Sequence, residues 1–170
     1  MTYMDDRAAC GRASVLVIED DDDIREVLRL VLEDAGYVVH EARNGLTGLA
    51  LLRESAEPLV VLLDWWMPRL NGKQVLRAAG RDSRLARHAY ALLTAACEAG
   101  WSELGEPAVE GLVVPVLAKP FDIEAVVALV EGLQRLLRRA RTLPLWQTRP
   151  LLEHDDRLGG DESPSEQAAG

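Results

Sequence analysis

Five residues able to do chemistry each stand at the end of an apolar run. Glu19 and Asp20 follow Val15-Leu16-Val17-Ile18, and Asp64 follows Leu59-Val60-Val61-Leu62-Leu63. Thr94 follows Ala89-Tyr90-Ala91-Leu92-Leu93, and Lys119 follows Leu112 to Ala118. Three carboxylates brought together repel one another and raise each other's pKa unless a cation neutralises them. Carboxylate oxygens with water are the ligands Mg²⁺ prefers. A carboxylate can also attack a phosphoryl group and form an acyl phosphate. A metal, an ammonium and a hydroxyl around that group would stabilise the charge on its oxygens. Glu19, Asp20 and Asp64 are therefore the candidate metal ligands, Lys119 the ammonium and Thr94 the hydroxyl.

The elements around these residues decide whether they can meet. The run before Asp64 is apolar throughout, with Val60 and Val61 β-branched, the pattern of a strand buried on both faces of a parallel sheet. Pro68 and Asn71-Gly72 then predict a turn. After the acidic stretch Glu19–Asp23, the residues Ile24, Val27, Leu28, Val31, Leu32 and Ala35 recur at helical spacing, and Gly36 suits the residue just past a helix end. Asp21 to Asp23 read as charges favoured by the helix dipole. Tyr37 to Ala42 predicts a short strand. Leu46 to Arg53 predicts a helix with Leu46, Leu49, Ala50 and Leu52 on its apolar face. Lys73 to Ala79 predicts another, closed by Gly80.

The stretch Cys97 to Gly111 is poor in helix formers and predicts at most a short helix over Ala99 to Leu104. Leu112 to Ala118 predicts a fifth strand, placed at a sheet edge by Pro115. The last helix is expected from an Asp122 cap to Arg141, its closing arginines suiting the dipole. Five alternations of strand and helix imply parallel strands joined by right-handed crossovers. The expected fold is a doubly wound α/β domain, a five-stranded parallel sheet with helices on both faces, over residues 14–141. In such sheets ligands bind beyond the carboxyl ends of the strands, where the five residues stand. Residues 1–13 read as a disordered leader. Residues 142–170 read as a disordered tail with six acids against two arginines.

Composition narrows the classes. The chain has 170 residues and a formal net charge of −9, which argues against general nucleic-acid binding. No apolar run is long enough to cross a bilayer, and the first residues lack a signal-peptide core. Cys10 and Cys97 make neither a disulfide framework nor a metal-ligand spacing, so a reduced cytoplasm is the expected setting. His40, His88 and His154 are scattered and read as surface or structural. Trp65 is expected in the core and Trp66 toward solvent near Asp64.

The motifs VLVIEDDDDIREVL, LLDWWMPRLNG, ALLTA and AKPF, in that order, resemble the receiver domain of bacterial two-component response regulators. The resemblance implies the flavodoxin-like receiver fold. It makes Asp64 the phosphorylated residue, with Glu19, Asp20, Asp64 and the Trp66 backbone carbonyl as Mg²⁺ ligands. It makes Thr94 and Lys119 the groups that contact the phosphoryl group. The donor would be a histidine kinase or a phosphotransfer protein. Residues 142–170 are too short for a DNA-binding output domain, so the output is expected to pass to a downstream protein, and a homodimer is a further partner state the sequence allows. The implied protein is a switch rather than an enzyme; an enzyme using an aspartyl phosphate would want an acid two residues after Asp64, where Trp66 stands. Two features depart from the family. The aromatic expected three residues before the lysine is Val116, which is stiff at χ1. The usual turn before the last strand is replaced by Val109 to Val114. Both imply an output face of unusual build, and they sustain the alternative of a phosphorylation-independent scaffold.

Overall fold

The computed structural model describes residues 13–95, 108–109 and 112–142. Residues 1–12 of the leader, the expected Ala99–Leu104 helix, residues 143–170 of the tail, His154 and both cysteines lie outside the described residues. The elements run β1 (Ser14–Ile18), α1 (Asp22–Asp34), β2 (Val38–Ala42), α2 (Gly45–Glu54), β3 (Val60–Asp64) and α3 (Gly72–Arg81). They continue with α4 (Ser83–Ala86), β4 (Ala89–Thr94), β5 (Ala108–Val109), β6 (Leu112–Val113), β7 (Val116–Ala118) and α5 (Ile123–Thr142).

Five strands form an all-parallel sheet in the order β2-β1-β3-β4-β7. This is the doubly wound architecture the alternation predicts. The order reverses between β1 and β3, so a crevice opens beyond the carboxyl ends of those two strands. Strand period 2 sorts the side chains between two cores. Val15, Val17, Val60 and Leu62 pack against Leu28 and Leu32 of α1 and Val126 and Val130 of α5. Leu16, Ile18, Val61 and Leu63 face Leu49 and Leu52 of α2 and Val75 and Leu76 of α3. The four apolar residues of β3 are at most 1% exposed, and burying each contributes about 1.5–3 kcal/mol.

Caps position the loops. The Asp21 side chain accepts from the Asp23 and Ile24 N–H groups and opens α1, with Asp22 and Asp23 in the first turn as expected. Gly36 follows that helix at φ 91°, a left-handed position that suits glycine. Asn71 and Gln74 form a reciprocal capping box that starts α3 immediately after the β3 turn.

Several expectations need correction. Gly80 does not end α3, which runs on to Arg81 because the buried Val75, Leu76 and Ala79 outweigh the cost of one helical glycine. A four-residue helix, α4, then begins from the Asp82 cap. Leu46 and Ala50 are exposed, and α2 buries Gly45, Gly48, Leu49 and Leu52 instead. A β-carbon at Gly48 would stand 2.4 Å from Ile18 Cδ1, so α2 lies too close to the sheet for a larger residue there. The Leu112–Ala118 run is not one strand. Its first part, β6, pairs antiparallel with β5, and only β7 joins the main sheet. Pro115 separates the two parts. It lacks an N–H, yet its carbonyl accepts the Leu92 N–H at 2.9 Å, and β7 lies at the sheet edge as expected.

Candidate functional site

The crevice beyond β1 and β3 collects the acidic side chains. Glu19 is the residue after β1, and its N–H donates to the Ala42 carbonyl at 3.1 Å. Counting by twos, Glu19 continues the Val15-Val17 row and Asp64 the Val60-Leu62 row, so both emerge on the α1/α5 side. Carboxylate oxygens of Glu19, Asp20 and Asp64 lie within 4.8 Å of one another. Glu19 and Asp64 are 1% and 4% exposed, whereas Asp20 faces solvent.

Lys119 enters from the end of β7. Its Nζ donates to Glu19 Oε2 and to Asp64 Oδ1, both at 2.7 Å. The Lys119 N–H donates to the Thr94 carbonyl at 2.7 Å, and the Lys119–Pro120 peptide is cis. Thr94 is buried and stands opposite Ala118 in the ladder, one step beyond the Asp64–Leu93 pair. Glu19, Asp64 and Lys119 are thus joined through their side chains, Asp20 lies beside them, and the Thr94 backbone is tied to Lys119.

The β3–α3 turn supports Asp64 from below. The Trp65 N–H donates to the Leu93 carbonyl at 2.9 Å, and the Gly72 N–H donates to the Trp65 carbonyl at 3.1 Å. Gly72 sits so close that a β-carbon there would lie 2.6 Å from the Asp64 carbonyl oxygen. Trp65 packs half-buried against the α2/α3 core, and Trp66 is 65% exposed, both as expected.

Burial raises the Asp64 carboxyl above its usual range, the Lys119 hydrogen bond and positive charge oppose this, and the Asp20 charge adds to it. Burial likewise raises Glu19, with a further push from Asp64 against the pull of Lys119. Burial would lower Lys119, but hydrogen bonds to both carboxylates outweigh it and hold the ammonium above its ordinary value. One ammonium therefore sits among three carboxylates, and a negative charge remains for a further cation. The three carboxylates are all-oxygen ligands close enough to share one ion, the donor type that hard dications such as Mg²⁺ prefer.

Residues outside the five complete the picture. His88 is structural: Nδ1 accepts from the Leu59 N–H at 3.0 Å and Nε2 donates to the Leu52 carbonyl at 3.1 Å. His40 is exposed. Val116 is half-buried opposite Leu92. The residue the sequence reading missed is Arg25, 5% exposed behind the acidic pair. Its signal was present, because Arg25, Leu28 and Leu32 share the buried stripe of α1 at helical spacing.

Comparison with known proteins agrees with this geometry. The family model of the response regulator receiver domain matches residues 15–131. Over 135 residues the chain is 33% identical to the DNA-binding dual master transcriptional regulator RpaA of Synechocystis, covering 76% of this chain and 51% of that protein. It is 37% identical over 137 residues to the probable transcriptional regulatory protein SilR of Salmonella typhimurium, covering 76% and 53%. The chain spans about half the length of the curated relatives it matches. Among solved structures, a CheY-like receiver domain protein from Methanospirillum hungatei superposes with a TM-score of 0.61 at 29% identity, covering 75% of this chain and 98% of that one. The chemotaxis response regulator CheY4 of Vibrio cholerae gives 0.62 at 26% identity, covering 72% and 98%. This chain belongs to the response regulator receiver domain family.

Proposed function

We propose that Asp64 accepts a phosphoryl group from a histidine kinase or phosphotransfer protein in a Mg²⁺-dependent step. The observation that carries this reading is the buried Asp64 carboxylate, held 2.7 Å from the Lys119 ammonium with Glu19 and Asp20 alongside. An Asp64 oxygen forms the new O–P bond as the donor's bond to phosphorus breaks, and the donor departs with that electron pair. Glu19, Asp20, Asp64 and the Trp66 carbonyl would hold the metal. When bound, the metal supplies charge neutralisation for the phosphoryl oxygens. Lys119 is already charged and placed to pair with the added phosphoryl group. Thr94, at the end of β4, is the hydroxyl assigned to the same group.

Phosphorylation adds negative charge and three acceptor oxygens at the crevice, and it shifts the protein only toward a conformation that binds those oxygens better. Val116 and the β5–β6 pair support a readout that does not depend on an aromatic rotamer. The expectation of a protein-only output gains no support from the relatives, since RpaA is itself a DNA-binding regulator. Incubation with acetyl phosphate, followed by intact mass measurement, tests the acceptor. A Mg²⁺-dependent phosphoryl adduct is expected in the native chain and none in Asp64→Asn. No adduct in any condition, with a histidine kinase also failing to supply one, would favour the scaffold reading.

A further inference from the structure

We infer that Arg25 is a positioning residue for the metal site: it holds the peptide that joins Glu19 to Asp20, and so sets where both acids point. This rests on the reading of Glu19 and Asp20 as metal ligands. Arg25 Nη1 donates to the Glu19 carbonyl at 2.9 Å, in a fully buried contact. That carbonyl belongs to the Glu19–Asp20 peptide itself. The guanidinium is fixed in turn from two sides, with Nε on Glu41 Oε1 at 3.2 Å, beside the end of β2, and Nη2 on Asp22 Oδ1 in the first turn of α1. A planar fork of donors can serve a carbonyl and two carboxylates at once, which a lysine ammonium on a flexible stem cannot do in the same geometry. The Glu19 N–H is tied to the Ala42 carbonyl. With both of its backbone polar groups held, Glu19 has a set orientation, and the chain turns toward solvent only at Asp20.

Arg25 touches neither the metal ligands' carboxylates at Glu19 and Asp20 nor Asp64 through any hydrogen bond found among the described residues. Its role is therefore separable by sign. A cation near the site opposes Mg²⁺ through its charge, so a purely electrostatic role predicts tighter binding when it is removed. A role in stability alone predicts an unchanged affinity in the folded protein. Positioning predicts weaker binding, and outer groups that orient metal ligands are commonly worth tenfold or more in affinity.

The test is a Mg²⁺ titration of the whole chain by calorimetry and tryptophan fluorescence, with folding checked in the metal-free state by circular dichroism. Arg25→Met is expected to bind Mg²⁺ about tenfold more weakly than the native chain. Its rate of adduct formation with acetyl phosphate should return to the native value at saturating Mg²⁺. Arg25→Lys, which keeps the charge, should also bind more weakly, and it decides the matter if Arg25→Met does not fold. Unchanged or tighter Mg²⁺ binding in the folded variant overturns the proposal while leaving the metal site intact. A native chain that shows no saturable Mg²⁺ response overturns the metal-site reading, and this inference with it.

Discussion

At the edge where the strands begin, buried polar side chains end on backbone. His88 bridges the Leu59 N–H and the Leu52 carbonyl, and the Tyr90 hydroxyl donates to the Leu85 carbonyl at 2.8 Å. Arg87 donates to the carbonyls of Ser55, Ala56 and Arg84. At the edge where the strands end, Glu19, Asp64 and Lys119 end on one another. His88 and Tyr90, neutral and paired with backbone, leave no charge to neutralise, and the partly exposed Arg87 directs its donors to carbonyls, so the first edge is a set of clasps. Ionised groups crowded into one crevice leave surplus charge, and an ion or a phosphoryl group can change that balance. Buried polarity is thus structural at one edge and responsive at the other. The difference lies in the partners rather than in the residue types.

The comparison can be broken at several points. The largest effect is expected from His88→Ala, which strands a buried donor and a buried acceptor and should cost about 4 kcal/mol in urea unfolding. The same variant should still take up the phosphoryl group at low temperature; loss of the adduct in the folded variant would show that the two edges are coupled.

The pH dependence is nearly as large. Burial, with Arg87 nearby, pushes His88 down from 6.5 to about 4. The unfolded chain therefore binds the proton first, and the stability that neutral His88 contributes is present above pH 6.5 and lost as the pH falls toward 4. That loss amounts to about 3 kcal/mol. Glu19 and Asp64, raised in the folded protein, work in the opposite sense over the acidic range: the folded state holds their protons longer, so their strain is relieved as the pH falls through their raised values. Urea midpoints of the native chain and His88→Gln, measured across this range, separate the two. The native curve should fall more steeply.

At the other edge, Gly72→Ala should cost about 2 kcal/mol, because its β-carbon would press on the Asp64 carbonyl and something in the backbone must move. Unlike His88→Ala, it should also slow adduct formation, as the displaced peptide carries Asp64. A variant with normal phosphorylation kinetics would separate the turn from the chemistry. The smallest effect is expected from Asp20→Asn. It removes an exposed charge that strains Asp64, so the metal-free protein should gain about 3 °C in melting temperature. Added Mg²⁺ should then stabilise it far less than the native chain.

Much of this was written locally. Continuous apolar runs identified four of the five main-sheet strands and the 3.6-residue period the long helices, because a strand buried on both faces is apolar throughout while a helix buries one face. A parallel sheet then places every strand's carboxyl end on one edge, which brought Glu19, Asp20, Asp64, Thr94 and Lys119 into a single candidate site before any contact was known. Tertiary structure decided what the pattern could not express. Gly48 carries no hydrophobic signal, yet its missing side chain is what lets α2 close on Ile18. His88 became a clasp because two backbone groups from distant segments reached it. The apolar run at Leu112 divided between two sheets at Pro115, a choice made by available partners. Arg25 shares the helical spacing of Leu28 and Leu32, but only the meeting of β1, β2 and α1 made it a buried link to the Glu19–Asp20 peptide. Local pattern records which faces are covered, while long-range packing determines which polar groups meet, and that is where the chemistry of this domain resides.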